Sequence, residues 1–219
     1  MAEIPFIVFY LFVLVFSAIV HEVAHGYVAE LLGDPTARLA GRLTLNPIAH
    51  ISFFGMVILP ILTYWAWGIP IGGAKPVPYN PRYLRNPVRG GAFIAVAGPL
   101  SNLFIAVIFG VFIRVFPVGP ATLPFAQIVR INVLLAIFNL VPIPPLDGSK
   151  VVTLLLPTRI LFRIREFLDP MVSIARANRF LFLILLFIFF PYILRGVFSI
   201  VDPVINFIYV IIAGQSFGI

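Results

Sequence analysis

The sequence predicts an all-α polytopic membrane protein with about four to six transmembrane helices. Of its 219 residues, 61% are hydrophobic and only 11% are charged, and the mean hydropathy is +1.10. Ordinary globular chains are about 45–50% apolar and about 25% charged, so the excess apolar surface of this chain must face lipid. Long apolar segments alternate with shorter stretches rich in Gly, Pro and Arg. This composition excludes a disordered chain and a soluble nucleic-acid-binding domain.

The formal net charge is +7, from 15 Lys and Arg against 8 Asp and Glu. In a membrane protein, basic groups lie beside anionic headgroups and set the topology. The expected partner is therefore the lipid bilayer, and no nucleic acid is expected. The chain has no cysteine, which excludes disulfides, thiolate metal ligands and a cysteine nucleophile.

The first apolar segment, residues 4–32, predicts a transmembrane helix that ends at the helix-stop sequence Gly33-Asp34-Pro35. The more polar stretch after it alternates over residues 37–44, which predicts a strand or hairpin. Residues 51–67 are apolar but short and contain a proline. They predict either a full span or a re-entrant element that enters the membrane and returns to the same side.

Two clear spans follow, at residues 90–116 and 125–141. Residues 157–179 carry five arginines and predict an interfacial amphipathic segment. Residues 180–212 are apolar again, with two interior prolines, and predict one bent span or a short hairpin. We therefore expect a single membrane-embedded domain over residues 1–219, with a core at 4–156 and C-terminal helices at 157–219.

The basic residues are distributed unevenly between the loops. Residues 33–89 hold six Lys or Arg, residues 143–179 hold six more, and residues 117–124 hold none. Because short cytoplasmic loops carry the positive charge, the first two regions are expected in the cytoplasm and the third outside. A re-entrant element at 51–67 keeps all of 33–89 on one side, whereas a full span there would violate the charge rule.

The first apolar helix contains three ionisable side chains in a stretch of five residues, His21-Glu22-Val23-Ala24-His25. Ionisable groups in a membrane are costly and mark function. Residues four apart share one helix face, so two imidazoles can converge on one cation. Glu22, about 100° around the helix, can reach a water at the metal. This spacing is typical of zinc peptidases, with His21 and His25 as ligands and Glu22 as the general base.

Catalytic zinc normally has three protein ligands and one open position. The best third candidate is Asp147, which follows a run containing three prolines and precedes Gly148. Unwound backbone at membrane depth is tolerated where it lines a cavity, and an acid placed there is a functional candidate. Two alternatives stay open: His50 as the third ligand, and Asp147 as the N-cap of the following helix.

Topology gives an independent check on this ligand set. His25 and Asp147 both lie toward the C-terminal ends of their spans, so these spans must be parallel for the two side chains to meet. An odd number of crossings must then separate them. The span at 90–116 satisfies this alone, which again favours a re-entrant element at 51–67.

Two motifs together resemble the site-2 protease family of intramembrane zinc metalloproteases. The first is His21-Glu22-x-x-His25, and the second runs from Asn139 to Gly148 and matches the pattern N-x-x-P-x-x-x-x-D-G. Weaker similarities lie at residues 97–102 and 72–78, so the resemblance covers residues 17–156. The chain is similar to the short, core-only members that lack a PDZ or CBS module.

The resemblance implies a role for each matching residue. His21, His25 and Asp147 would bind one Zn²⁺ per chain, and Glu22 would be the catalytic base. Asn139 and Asn102 would bind the substrate backbone or a developing oxyanion. The alternatives are that Asn139 caps the broken helix and that Asn102 makes interhelical hydrogen bonds beside a face of small residues.

The implied function is hydrolysis of peptide bonds in transmembrane segments of membrane proteins. The partner would be a transmembrane protein or peptide substrate, and homo-oligomerisation is left open. The chain would be a multi-pass protein of the cell membrane with its active site toward the cytoplasm. A membrane metal transporter or sensor that uses the same His and Asp site is the alternative.

Overall fold

The computed structural model describes residues 3–52, 74–116, 122–142, 146–156 and 179–214, together with isolated residues between these ranges. The helices in these ranges are α1 (Glu3–Leu31), α2 (Thr36–Leu39), α3 (Pro47–His50), α4 (Pro87–Val115), α5 (Thr122–Asn139), α6 (Gly148–Leu155) and α7 (Arg179–Ala213). The described part of the chain contains no strand, so the predicted all-α class is confirmed.

Four stretches of the described helices are long and apolar enough to cross a membrane, in agreement with the predicted number of spans. They are Val8–Leu31, Pro87–Val115, Thr122–Asn139 and Arg195–Ala213. Large apolar side chains such as Phe12, Phe104 and Phe207 are exposed on these helices. Such faces suit a lipid surrounding, because they would be unfavourable in water.

Helix α1 ends in a turn that the sequence specifies. Gly33 has φ of +100°, which a residue without Cβ adopts at little cost. The Gly33 amide donates to the Glu30 carbonyl at 2.9 Å, and the Asp34 amide donates to the Ala29 carbonyl at 2.9 Å. This Schellman arrangement satisfies the last carbonyls of the helix and turns the chain back across its end.

The predicted strand or hairpin over residues 37–44 is wrong, because residues Thr36–Leu39 form the short helix α2. One oxygen of the buried Asp34 carboxylate accepts hydrogen bonds from the Thr36 amide at 3.0 Å and from the Thr36 hydroxyl. These bonds set up a helical turn directly after Pro35. The alternation also fits one turn of helix, since Ala37 is buried while Arg38 and Leu39 are exposed.

Helix α4 is at the centre of the described fold and packs against α1, α5, α6 and α7. It begins at Pro87 behind the N-cap Asn86, whose side chain accepts from the Arg89 amide at 3.0 Å. Small residues are buried along the helix and let neighbouring helices approach closely. They are Gly90, Gly91, Ala92, Ala95, Gly98, Ala106 and Gly110.

The C-terminal apolar segment, predicted as one bent span or a short hairpin, forms one continuous helix, α7, which runs through Pro191 and Pro203. The hairpin alternative is therefore excluded. Near the C-terminal end of α7, the Ile212 carbonyl accepts a hydrogen bond at 2.8 Å from Nε of Arg114, a residue of α4. A second nitrogen of Arg114 donates to the Ile211 carbonyl. These bonds join α7 to α4.

An apolar core fills the space between α4, α5 and α7. Its buried residues include Ile113 of α4, Val129 and Val133 of α5, and Ile205 and Tyr209 of α7. The predicted re-entrant element at 51–67 and the predicted interfacial segment at 157–179 lie largely outside the described residues.

Candidate metal centre and active site

The structure brings together the three side chains that the sequence predicted as metal ligands. His21 and His25 lie on one face of α1, with ring centroids 4.6 Å apart and the rings almost perpendicular. The Nε2 atom of each ring lies 3.1 Å from Oδ2 of Asp147. One ligand atom from each of the three residues lies within 4.8 Å of the others, so the group could hold a metal ion.

Asp147 reaches the histidines because the chain breaks its helical course between α5 and α6. It occupies the N-cap position of α6, yet its side chain makes no capping bond. The carboxylate points toward the histidines instead, so the capping alternative describes its position but not its contacts. A Cβ at the next residue, Gly148, would lie 2.1 Å from the Leu140 carbonyl oxygen. Only glycine therefore allows this tight return of the chain.

The second nitrogen of each imidazole is bonded on the far side from Asp147. His25 Nδ1 donates to the backbone carbonyl of Ile94 at 2.6 Å, and His21 Nδ1 donates to Oδ1 of Asn102 at 2.6 Å. With the proton on Nδ1, each Nε2 presents a lone pair. Two nitrogen lone pairs and a carboxylate oxygen then converge on one point, an arrangement that needs a cation between them. This donor set fits zinc.

Gly98 of α4 forms one wall of this site. A Cβ at position 98 would lie 2.4 Å from His21 Nε2 and 2.5 Å from His25 Nε2. The space into which both imidazoles point is therefore left by a missing side chain. The neighbouring Pro99 has no amide hydrogen to complete the helix at this turn, which makes it a natural place for α4 to bend.

The three side chains of the metal group are largely buried, but each keeps a small exposed fraction. The side chains of His21, His25 and Asp147 are 8%, 12% and 14% exposed. A carboxyl group binds a metal cation in its ionised form.

Glu22 is held by the backbone of a separate segment. Its Oε2 accepts a hydrogen bond from the Val77 amide at 2.8 Å. The Val77 segment is fixed on one side by the buried Arg42 side chain, which donates to the Lys75 carbonyl and, at 3.2 Å, to the Pro76 carbonyl. It is fixed on the other side by Asp34, which accepts from the Asn80 amide.

His50, the alternative third ligand, is not part of the metal group. It is fully buried in α3, and its Nε2 donates to the Thr44 carbonyl at 2.8 Å. The neighbouring acid Glu30 also lies elsewhere, in an ion pair with Arg38 at 2.9 Å.

The two predicted substrate-binding amides have different surroundings. Asn102 is fully buried, and both ends of its amide are bonded within the protein. Because Nδ2 donates to two protein groups and Oδ1 faces His21, the amide is held between helices, and the substrate-binding role of Asn102 stays a prediction. Asn139, the last residue of α5, donates from Nδ2 to the Leu135 carbonyl at 2.9 Å. The part that it plays with substrate stays a prediction.

Sequence reasoning missed several groups that hold the site. Asn132 could have been predicted, because it is a polar amide in the apolar helix α5. Its side-chain oxygen accepts a hydrogen bond from Asn102 at 2.9 Å. The Ile94 carbonyl and the Val77 amide are backbone groups, which every residue carries. Only the packing of the helices selects them, so no sequence signal could have found them.

The comparisons agree with this chemistry. Residues 118–186 match the family model described as Peptidase family M50. YwhC of Bacillus subtilis (strain 168), named as a candidate zinc metalloprotease, is 37% identical over 154 residues, which cover 66% of this chain and 67% of YwhC. Rip2 of Mycolicibacterium smegmatis, named likewise, is 31% identical over 140 residues, which cover 60% of this chain and 51% of Rip2. No solved structure matches the chain.

A shorter match adds an archaeal relative. MJ0611 of Methanocaldococcus jannaschii, also named as a candidate zinc metalloprotease, is 45% identical over 60 residues, which cover 26% of this chain and 31% of MJ0611. The family model, the names of these relatives and the metal-binding group at His21, His25 and Asp147 point to one chemistry. The chain belongs to peptidase family M50, the site-2 protease family, and is a membrane zinc metalloprotease.

Proposed function

We propose that the whole chain, residues 1–219, is one catalytic domain with its core at 4–156. Its proposed activity is the hydrolysis of peptide bonds in the transmembrane segments of membrane proteins. The observation that supports this most strongly is the place of the ligands. His21 and His25 lie inside the candidate span Val8–Leu31, and the Asp147 carboxylate meets them there. A peptidase centre at that depth is suited to a substrate that is itself in the membrane.

In this proposal His21, His25 and Asp147 hold one zinc ion per chain. When bound there, zinc supplies Lewis-acid polarisation of a carbonyl and a lowered pKa for a coordinated water. The protein's part is to hold three ligands in fixed orientation and leave one position open. The Nδ1 bonds of the two histidines provide that orientation.

Glu22 is the proposed general base. It takes a proton from the attacking water and returns it to the nitrogen of the leaving amine, as one carboxylate can do in turn. The Val77 amide at 2.8 Å from Oε2 fixes the rotation of the carboxylate. One oxygen is thus held by the protein, and the other is proposed to take part in the proton transfer.

The substrate is proposed to enter as a locally unwound transmembrane segment, because a helical peptide bond is shielded by its own turn. Asn139 is proposed to bind the substrate backbone near the scissile bond, since a carboxamide can donate to a carbonyl and accept from an amide. Rotation of its side chain away from the Leu135 carbonyl would free Nδ2 for this contact. The active site is proposed to open toward the cytoplasm, on the side where the basic loops lie.

Purified protein in detergent should cleave a transmembrane peptide, and Glu22→Gln should abolish the cleavage while zinc stays bound. Glutamine keeps the size of the side chain and its bond to Val77, but it cannot take a proton. The matched control is Glu30→Gln, one of the few other acids on α1, which pairs with Arg38 instead and should leave cleavage unchanged. Undiminished cleavage by Glu22→Gln would contradict the role of Glu22, and zinc flux in liposomes without cleavage would favour a transporter.

A further inference from the structure

The His21 side chain is the end of a buried chain of amide groups that runs through three helices. His21 Nδ1 meets Oδ1 of Asn102 at 2.6 Å, and Nδ2 of Asn102 donates to Oδ1 of Asn132 at 2.9 Å. Asn102 and Asn132 are both completely buried, one on α4 and the other on α5. Buried amides in an apolar bundle are costly unless both of their ends are satisfied.

Two backbone carbonyls determine the direction of this chain. The Ile128 carbonyl lies 2.9 Å from the Asn132 amide, and the Ser17 carbonyl lies 3.2 Å from the Asn102 amide. A carbonyl oxygen can only accept, so in each case the atom that faces it is the Nδ2 nitrogen. The oxygen of Asn132 is thereby left for Asn102, and the oxygen of Asn102 is left for His21.

This direction has a consequence for the metal. Because Oδ1 of Asn102 can only accept, His21 Nδ1 must carry the proton, and Nε2 is then the atom with the lone pair. That is the tautomer in which Nε2 can bind a cation beside Asp147, 3.1 Å away. A flipped Asn102 would present Nδ2 to His21 and would favour the tautomer whose proton blocks the metal site.

We infer that Asn102 and Asn132 are positioning residues for the metal centre, which set the tautomer and the ring orientation of His21 and thereby raise the affinity of the site for zinc. The inference rests on His21 as a zinc ligand, which is part of the proposed function. It assigns Asn102 a task other than substrate binding, and it adds Asn132, which was not among the predicted site residues.

The test compares zinc affinity in the full-length chain, purified in detergent and titrated against a chelator of known affinity. Asn102→Leu removes the acceptor opposite His21 Nδ1, and we expect zinc affinity to fall by about 10- to 100-fold, the usual loss when such an outer contact is removed. Asn102→Asp keeps an oxygen acceptor opposite His21 but, like leucine, has no N–H group for Ser17 or Asn132. We expect it to restore most of the lost affinity.

The pair separates positioning from mere packing, because both variants lose the same two interhelical donor contacts. Equal loss of zinc affinity in Asn102→Asp and Asn102→Leu, or wild-type affinity in Asn102→Leu, would overturn the inference. Thermal melting of each variant without zinc reports the cost to the fold separately. If Asn102→Leu does not fold, Asn132→Leu takes its place, and wild-type affinity in the folded Asn132→Leu protein would overturn the inference.

His21→Ala distinguishes failure of this inference from failure of the proposed function. If His21→Ala lowers zinc affinity and the Asn102 variants do not, the ligand set stands and the positioning role is wrong. If His21→Ala itself binds zinc like the wild type, the proposed metal site is wrong and the positioning role is overturned with it.

Discussion

The metal centre depends both on the ligand atoms that its residues provide and on the absence of a side chain at Gly98. Each histidine uses Nδ1 for a bond to protein and keeps Nε2 for the centre. Gly98 withholds a side chain, which leaves the room into which both rings point. A substitution that adds a single carbon at position 98 therefore acts directly on the ligands.

Gly98→Ala is expected to abolish zinc binding. Its Cβ would lie 2.4–2.5 Å from the two Nε2 atoms, so both imidazoles would have to swing away from Asp147. The matched control is Gly91→Ala on the same helix, where the new Cβ would meet only the Tyr79 hydroxyl at 3.8 Å. Both changes favour helix formation by about 1 kcal/mol. Zinc content by atomic spectrometry decides, and full occupancy in Gly98→Ala would contradict the geometry.

Between the transmembrane elements, the buried Arg42 side chain fastens two connecting segments together. Its guanidinium donates to the Ala49 carbonyl on one side and to the Lys75 and Pro76 carbonyls on the other. A planar fork of donors suits three carbonyls better than an ammonium group does. Since the next amide, Val77, binds Glu22, this connection positions the proposed general base from outside the helix that carries it.

Arg42→Met is expected to lower both the melting temperature and the rate of proteolysis while zinc stays bound. Hydrogen bonds to charged groups contribute about 1.5–3 kcal/mol, and the carbonyls would be left without a donor. Arg38→Met is the control, because the Arg38 side chain is 66% exposed and such an ion pair contributes at most about 1 kcal/mol. Equal effects of the two substitutions in thermal melts and peptide cleavage would refute this role of Arg42.

For the whole molecule, the apolar core and the metal centre are separate sources of order. The buried cluster of α4, α5 and α7 contains none of the ligands. Zinc removal should therefore stop proteolysis without unfolding the helices, unlike the case of small zinc domains. Circular dichroism and peptide cleavage after chelation test this, with activity restored by added zinc. Loss of helical signal on chelation would show that the metal is structural.

The orientation of the bundle in the membrane is a second property of the whole molecule. The charge rule places the loop after α1 in the cytoplasm and the end of α4 outside. The chain has no cysteine, so single cysteines can be added at the exposed positions Ala40 and Phe116. An impermeant maleimide should label Phe116→Cys from outside and Ala40→Cys only in inverted vesicles. The opposite labelling would invert the proposed topology.

The sequence predicted the site residues whose side chains are unusual for their surroundings. It did not predict the backbone groups that contact them, because the packing of the helices determines which ones do so. Charged groups in an apolar helix predicted His21, Glu22 and His25 as site residues, the broken helix before Gly148 predicted Asp147, and the structure brings the two histidines and Asp147 together. The Val77 amide and the Ile94 carbonyl carry no such signal, because they differ from other backbone groups only in where the helices place them.

The wrong strand prediction and the unpredicted hydrogen bonds of Asn102 both depend on contacts that the sequence does not show. A short alternation of apolar and polar residues does not distinguish a strand from one helical turn. At residues 36–39 the hydrogen bond from the Thr36 amide to the Asp34 carboxylate stabilises the helical turn. For Asn102 the sequence showed an amide in an apolar span but not its neighbours. Asn132 lies 30 positions away in the chain, so only the packing of α4 on α5 reveals that Asn102 is fully bonded.

The central claim is that a zinc centre inside the membrane, with Glu22 as its base, cuts a membrane-spanning substrate. The most direct measurement is mass spectrometry of the products from a transmembrane peptide co-reconstituted with the protein in liposomes. Wild type should give a cut within the apolar part of the peptide, and Glu22→Gln, with zinc bound, should give none. Cuts confined to the polar ends of the peptide, or the same products from Glu22→Gln, would contradict the claim.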